Sequence, residues 1–97
     1  MTIDKNKVYF IENDAALRDK LFELMLNQDD YPFGEFIMEL YYHGWAFLIY
    51  RETDGSLAMA YHKEQECQKN KYFMSMGGLC HFMLKQCLNI DPKVLNS

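Results

Sequence analysis

The stretch WAFLIYRETDGSLAMAYHK, residues 45–63, decides the predicted fold. Two β-rich runs, 45–52 and 57–63, flank the tetrapeptide Thr53-Asp54-Gly55-Ser56. Asp-Gly between such runs predicts a β-hairpin, because both central residues of a type I′ turn need positive φ. Both faces of this hairpin are largely apolar, which predicts that it is covered on both sides over part of its length.

The loop length sets the register of the predicted hairpin. With a two-residue loop, Tyr50 faces Met59 and Leu48 faces Tyr61 across the two strands.

On the N-terminal side of the hairpin, the sequence predicts one strand and two helices. Residues 8–11 form a short β-rich run that is typical of a strand. Apolar residues at helical spacing predict a helix over 14–28 and a second helix over 33–43. Gly44 is a natural helix stop in the left-handed conformation. The apolar stripes are Leu17, Leu21, Leu24 and Met25 in the first helix and Phe36, Ile37, Leu40 and Tyr41 in the second.

A last helix is predicted over residues 70–88, with apolar residues nearly all round. Gly77-Gly78 inside it would cost about 1–2 kcal/mol relative to two alanines. The element order is then β-α-α-β-β-α in one domain, residues 1–97. This order predicts an α+β fold in which a small antiparallel sheet, made by the N-terminal strand and the central hairpin, packs with about three helices.

Composition restricts the class of protein. The chain has 97 residues, of which 49% are hydrophobic and 15% aromatic, so it can form one core. Residues 1–7 are polar and charged, which argues against a secretion signal. The uncharged stretches 40–50 and 72–84 are too short for a membrane helix of about 20 residues. The three cysteines lack framework spacing, which predicts reduced thiols and a cytoplasmic location.

No sequence pattern indicates a cofactor or a metal site. Cys80 and Cys87 stand two helical turns apart, a rise of about 10 Å, which is too far to share one zinc ion. Both are expected to be buried and reduced. The lysines of segment 63–71 are diluted by Glu64 and Glu66, so direct nucleic-acid binding is not expected. The chain is expected not to be an enzyme, although a cysteine and a histidine can still meet in space.

The charge is unevenly distributed. The net charge is −4, but residues 12–39 hold two basic against eight acidic side chains, a balance of −6. Like-charged pairs four residues apart destabilise a helix by a few tenths of a kcal/mol, so a surface that meets a basic partner is one explanation for them. The predicted partner-binding residues are Asp19, Glu23, Asp29, Asp30, Glu35 and Glu39.

These observations predict a non-catalytic protein-binding module. The specific expectation is a small acidic inhibitor or immunity-type protein that neutralises a basic toxin or nuclease by direct binding. One alternative is a homo-oligomerising adaptor, for example a homodimer, or a structural adaptor that uses the Met-rich C-terminal helix with Met74, Met76 and Met83. A second alternative is a small enzyme or ligand-binding domain, which would show a deep pocket with convergent polar groups.

Overall fold

The computed structural model describes residues 7–96 and shows a five-stranded mixed sheet with two helices. The strands are β1 Val8–Phe10, β2 Phe36–Tyr42, β3 Trp45–Arg51, β4 Leu57–Lys63 and β5 Lys69–Phe73, and the helices are α1 Asp14–Leu26 and α2 Met76–Phe82. Short 3₁₀ turns cover Gln28–Asp30 and Pro92–Asn96, and a π-helical turn, Met83–Cys87, continues α2. The spatial order is β1-β2-β3-β4-β5; β1 is parallel to β2, and all other neighbours are antiparallel.

The predicted order β-α-α-β-β-α with three helices is therefore wrong. The segment predicted as a helix over 33–43 forms β2. A short apolar run fits a helical period and a buried strand equally well, and packing decides between them. Because β2 has a strand on each side and is buried on both faces, its sequence is almost continuously apolar.

The turn after β2 explains why its sequence resembled a helix end. His43 has φ +48° and Gly44 has φ +82°, and Tyr42 pairs with Trp45 across this two-residue loop. Positive φ at both central residues is the requirement of a type I′ turn. Gly44 thus closes a hairpin between β2 and β3 rather than a helix.

The hairpin predicted at Asp54-Gly55 is present, but its turn is of another type. Gly55 has φ +90° and donates its N–H to the carbonyl of Glu52 at 3.0 Å. The N–H of Glu52 donates to the carbonyl of Ser56 at 2.8 Å. Since Asp54 does not have positive φ, the loop has three residues and only its last one is left-handed.

This loop shifts the register of β3 and β4 by one residue. Tyr50 pairs with Ala58, not with Met59 as predicted, and Ile49 pairs with Met59. A shift of one residue moves every side chain of a strand to the other face relative to its partner. Phe47 and Ile49 consequently share their face with Met59, and all three are fully buried.

The predicted helix over 70–88 is divided between a strand and a helix. Its first residues form β5, and α2 begins at Met76 after the N-cap residue Ser75. The hydroxyl of Ser75 accepts the N–H of Gly78 at 3.1 Å. Gly77-Gly78 therefore lie in the first helical turn, where the backbone needs a cap, and not in the middle of a helix.

Both helices pack on the same face of the sheet. Asn13 caps α1 by accepting the N–H of Ala16 at 2.9 Å, and the helix ends close to the predicted boundary. Its buried leucines form one cluster with the buried residues of α2 and of the strands. The members of this cluster with no more than 1% exposure are Leu17, Leu21, Leu24, Leu40, Phe47, Ile49, Leu57, Met59, Met76, Leu79, Cys80, Met83 and Leu84.

The segment 1–7, on which the expectation about secretion depends, lies outside the described residues except for Lys7. Within residues 7–96, none of the helices combines the length and the apolar character that crossing a membrane requires.

Two glycine substitutions test this account of the turns. Gly55→Val should lower the free energy of unfolding by about 1–3 kcal/mol, because φ is +90° and a Cβ would stand 2.9 Å from the Phe33 ring. Gly77→Ala is the control: its Cβ would meet nothing within 4 Å, and helix propensity should stabilise by up to about 1 kcal/mol. Urea denaturation of both variants measures the difference. Equal effects would contradict the left-handed turn at Gly55.

Candidate protein-binding face

One face of the sheet carries no helix within the described part of the chain. Side chains alternate along a strand, and those of Tyr9, Leu40, Phe47 and Met59 point to the face that α1 and α2 cover. The intervening residues point to the other face, which we name the open face. By strand register it consists of Val8, Phe10, Phe36, Glu39, Tyr41, Ala46, Leu48, Tyr50, Ala58, Ala60, His62, Asn70 and Tyr72.

Aromatic side chains stand at both edges of the open face. Phe10 on β1 is 75% exposed and stacks on Tyr41, with ring centroids 5.1 Å apart. Tyr72 on β5, at the opposite edge, is 68% exposed. Between them, Phe36 and Tyr50 make an edge-to-face pair at 5.3 Å. Single exposed aromatics are ordinary, but several of them on one apolar sheet face are typical of a protein interface.

Small side chains on β4 form a shallow trough between larger ones. Ala58 lies opposite Tyr50 on one side and Tyr72 on the other. Ala60 is placed in the same way beside Leu48. Because directly opposed side chains stand about 5 Å apart, Tyr50 and Tyr72 flank Ala58, and Leu48 and Asn70 flank Ala60.

Glu39 lies on the interior strand β2 and, with His62 neutral, is the only described residue of the open face with a formal charge. It is paired with Val8 on β1 and with Leu48 on β3, and it is only 9% exposed. Burial raises the pKa of the Tyr41 hydroxyl, and hydrogen bonding to the Glu39 carboxylate raises this pKa further. The carboxylate thus has one neighbouring donor on its own face.

The acidic residues predicted on α1 are exposed, as expected, but they have basic neighbours. Asp19 lies 3.8 Å from the Arg18 side chain, and Glu23 accepts a hydrogen bond from Lys20 at 2.6 Å. These pairs reduce the unbalanced negative charge on the outer face of the helix.

The other predicted acidic residues are divided between two sides of the domain. Asp29, Asp30 and Glu35 are exposed on the segment that joins α1 to β2. The predicted exposure of Glu39 is wrong, because this residue is buried on β2 and faces away from α1. Since residues 36–42 form a strand, Glu35 and Glu39 are also not a pair on one helix face.

The cysteines occupy three different environments. Cys80 is fully buried, as predicted, and burial raises the pKa of its thiol to about 12. Cys87 is half-buried, and burial raises its pKa to about 11, with a small opposing effect from Lys69. Cys67 is exposed. At neutral pH the first two thiols are protonated, and a protonated thiol is a poor nucleophile.

Across residues 7–96 there is no group of three or more His, Cys, Asp or Glu side chains arranged to hold a metal ion.

A second feature is an open cleft of about 740 Å³ between α1, α2 and the C-terminal segment. Its cationic side chains are Lys85 and Lys93, with His81 one helical turn before Lys85. Met25 and Ile90 supply apolar walls. All three basic residues are exposed, so an anion bound there would remain partly solvated.

The open face is the site that the sequence prediction missed. The sequence carries one indication of this face, since both faces of the hairpin are largely apolar. That pattern predicted a hairpin covered on both sides. Comparison of the chain with protein-family models, with curated proteins and with solved structures found no match. The functional assignment therefore depends on the geometry of the chain itself.

Thiol reactivity tests these three environments. With a chromogenic disulfide reagent at pH 8, one thiol should react rapidly in the native protein and two slowly, because the pKa values of Cys80 and Cys87 are raised to about 12 and about 11. Cys67→Ser should remove the fast phase, and denaturant should expose the remaining two thiols. A fast phase that persists in Cys67→Ser would contradict the burial of Cys87.

Proposed function

We propose that the chain is a non-catalytic protein-binding module that contacts its partner through the open face. The observation that carries this proposal is an apolar sheet face that no helix of residues 7–96 covers, with exposed aromatic rings at both edges. Rigid aromatic side chains give a large contact area at a small cost in conformational entropy, and they are enriched among residues that dominate binding energy.

The dimensions of the open face agree with a modest interface. Five strands spaced about 4.8 Å apart, each contributing about six residues at 3.3 Å per residue, cover roughly 20 by 20 Å. A stable complex buries about 800 Å² on each partner. The open face supplies roughly half of this area, so the rim must supply the remainder.

The finer proposal is an acidic inhibitor or immunity-type protein that acts in the cytoplasm on a basic toxin or nuclease. Its support is the exposed acidic segment, with Asp19 and Glu23 on α1 and Asp29, Asp30 and Glu35 after it. A region of one sign accelerates encounter with an oppositely charged surface.

The proposal of an adaptor that uses the C-terminal helix has less support. Met76 and Met83 are fully buried in the core, and Met74, which is 92% exposed, lies before α2 and not on it. Self-association in this fold would therefore use the open face, where Tyr72 is close to Met74 in the chain.

A second candidate function is binding of a small organic anion in the cleft beside α2. The supporting observation is its volume of about 740 Å³, within the range of ligand sites, together with a lining that holds three basic side chains against one carboxylate, Asp91. Their exposure makes this the weaker candidate, because solvated charges bind anions weakly and are screened by salt.

Charge substitutions on the open face test the first proposal. A partner captured from a lysate of the source cells is identified by mass spectrometry, purified and titrated against variants. Phe10→Lys and Tyr72→Lys should each weaken binding by at least about 30-fold, the effect of losing a dominant contact. Leu26→Lys is the matched control, since Leu26 is also an exposed apolar residue, at 83%, but lies on α1.

The same titration distinguishes the acidic surface from the open face. If Phe10→Lys and Tyr72→Lys bind normally while the double reversal Asp19→Lys, Glu23→Lys slows association, the partner binds the helical side. That result would contradict the proposal.

Titration with phenyl phosphate, followed by amide chemical shifts, tests the cleft. The wild-type protein should show saturable shifts at His81, Lys85 and Lys93. The affinity derived from them should fall about 10-fold in Lys85→Gln and should decrease with added salt. Lys63→Gln, at an exposed lysine on β4, is the control. Shifts that grow linearly with concentration and ignore both substitutions would contradict a binding site.

A further inference from the structure

Glu39 has an unusual position for a charged residue. It lies on β2, an interior strand next to the edge strand β1, within an apolar face, with Val8 and Leu48 as its cross-strand neighbours. An exposed carboxylate at a sheet edge would be ordinary, whereas one that is 9% exposed among apolar side chains keeps its remaining hydration only from the direction of the open face.

Covering the open face would remove that hydration. An ionised carboxylate without a partner is very costly to bury, so any protein that docks here must supply a hydrogen-bond donor to it. A carboxylate offers about four lone-pair positions, and the neighbouring Tyr41 hydroxyl can fill only one of them. The other positions need donors from the partner once the face is covered.

We propose that Glu39 is the anchor for an arginine of the partner, held in an otherwise apolar contact on the open face. This inference rests on the proposed function, and it states the chemistry of the partner surface. A guanidinium group matches a carboxylate with two parallel hydrogen bonds, and it loses less hydration than an ammonium group on burial.

The strand register also sets where the partner places its apolar contact. Glu39, Leu48 and Ala60 form one row across β2, β3 and β4. Two strand spacings separate Glu39 from the alanine trough, a distance of about 10 Å. The gap between Tyr50 and Tyr72 lies over Ala58, two residues further along β4, and thus about 12 Å from Glu39. The partner therefore presents an arginine and, about 12 Å from it, an apolar side chain that fits between these tyrosines.

A second copy of the chain does not meet these requirements. In a face-to-face dimer each Glu39 would meet the open face of the other copy, whose described residues include His62 but no lysine or arginine. Two carboxylates would then be buried without a permanent cation, which opposes association.

Selection from a displayed library of random 12-residue peptides tests the inference. Peptides enriched on the wild-type protein should contain an arginine together with aromatic or aliphatic residues. Synthetic copies should bind Glu39→Gln at least 10-fold more weakly than wild type. The isosteric glutamine can still accept the hydrogen bond from Tyr41, so the variant should fold. Glu66→Gln, which removes an exposed carboxylate from the turn between β4 and β5, should leave the affinity unchanged.

Replacing the peptide's arginine with citrulline, its neutral isostere, completes a double-mutant cycle. Citrulline should weaken binding to the wild-type protein about as much as Glu39→Gln does, and the two changes together should weaken it no further. Additive effects would overturn the pairing of arginine with Glu39.

The remaining outcomes separate this inference from the proposed function. Peptides that no longer bind Phe10→Lys and Tyr72→Lys but still bind Glu39→Gln would overturn Glu39 as the anchor. The open face would remain a binding site. If no selected peptide depends on the open face for binding, both the Glu39 anchor and the proposed function of the open face would be overturned. Self-association that appears in Glu39→Gln, measured by light scattering, would assign the face to a second copy and overturn the arginine partner.

Discussion

The backbone pairing of β2 is the constraint on which the rest of the structure depends. β2 is parallel to β1 and antiparallel to β3, so its N–H and C=O groups are satisfied on both sides only in the middle of a sheet. Parallel pairing requires a crossover connection, and α1 supplies it while burying its leucines against the sheet. The Tyr42 hydroxyl donates to the Asp14 carboxylate, which joins the end of β2 to the start of α1.

This arrangement leaves the two faces of the sheet in different environments. Both helices are on one side because α1 and α2 share one hydrophobic cluster. The opposite face keeps exposed aromatic side chains at its edges, Phe10 and Tyr72, while Glu39 on β2 is only 9% exposed. The buried carboxylate of Glu39 opposes nonspecific association of this face, and it favours a partner that supplies a complementary hydrogen-bond donor. The same carboxylate can thus protect the surface and give it specificity.

The acidic segment and the open face are physically separate features. The domain is 23 Å across in its shortest dimension, and the carboxylates of α1 lie on the helical side. At physiological ionic strength the Debye length is about 8 Å, so charges on the outer side of α1 have little effect on a contact at the open face. A partner that uses both features must therefore extend around an edge of the sheet, and the segment of Asp29, Asp30 and Glu35 is the acidic part nearest to β2 in the chain.

Local sequence determined the elements that depend only on residues close together in the chain, such as a helix cap or a turn. Asn13 and the leucine spacing specify α1, and Asp54-Gly55 specifies a reversal of the chain, because capping and positive φ are short-range properties. The identity of β2, the hairpin register and the position of Glu39 required the tertiary structure. An apolar run such as FIMELYY fits a helix or a buried strand, and only pairing with β1 and β3 selects the strand. The face to which each side chain points then follows from a register that a single loop residue can change.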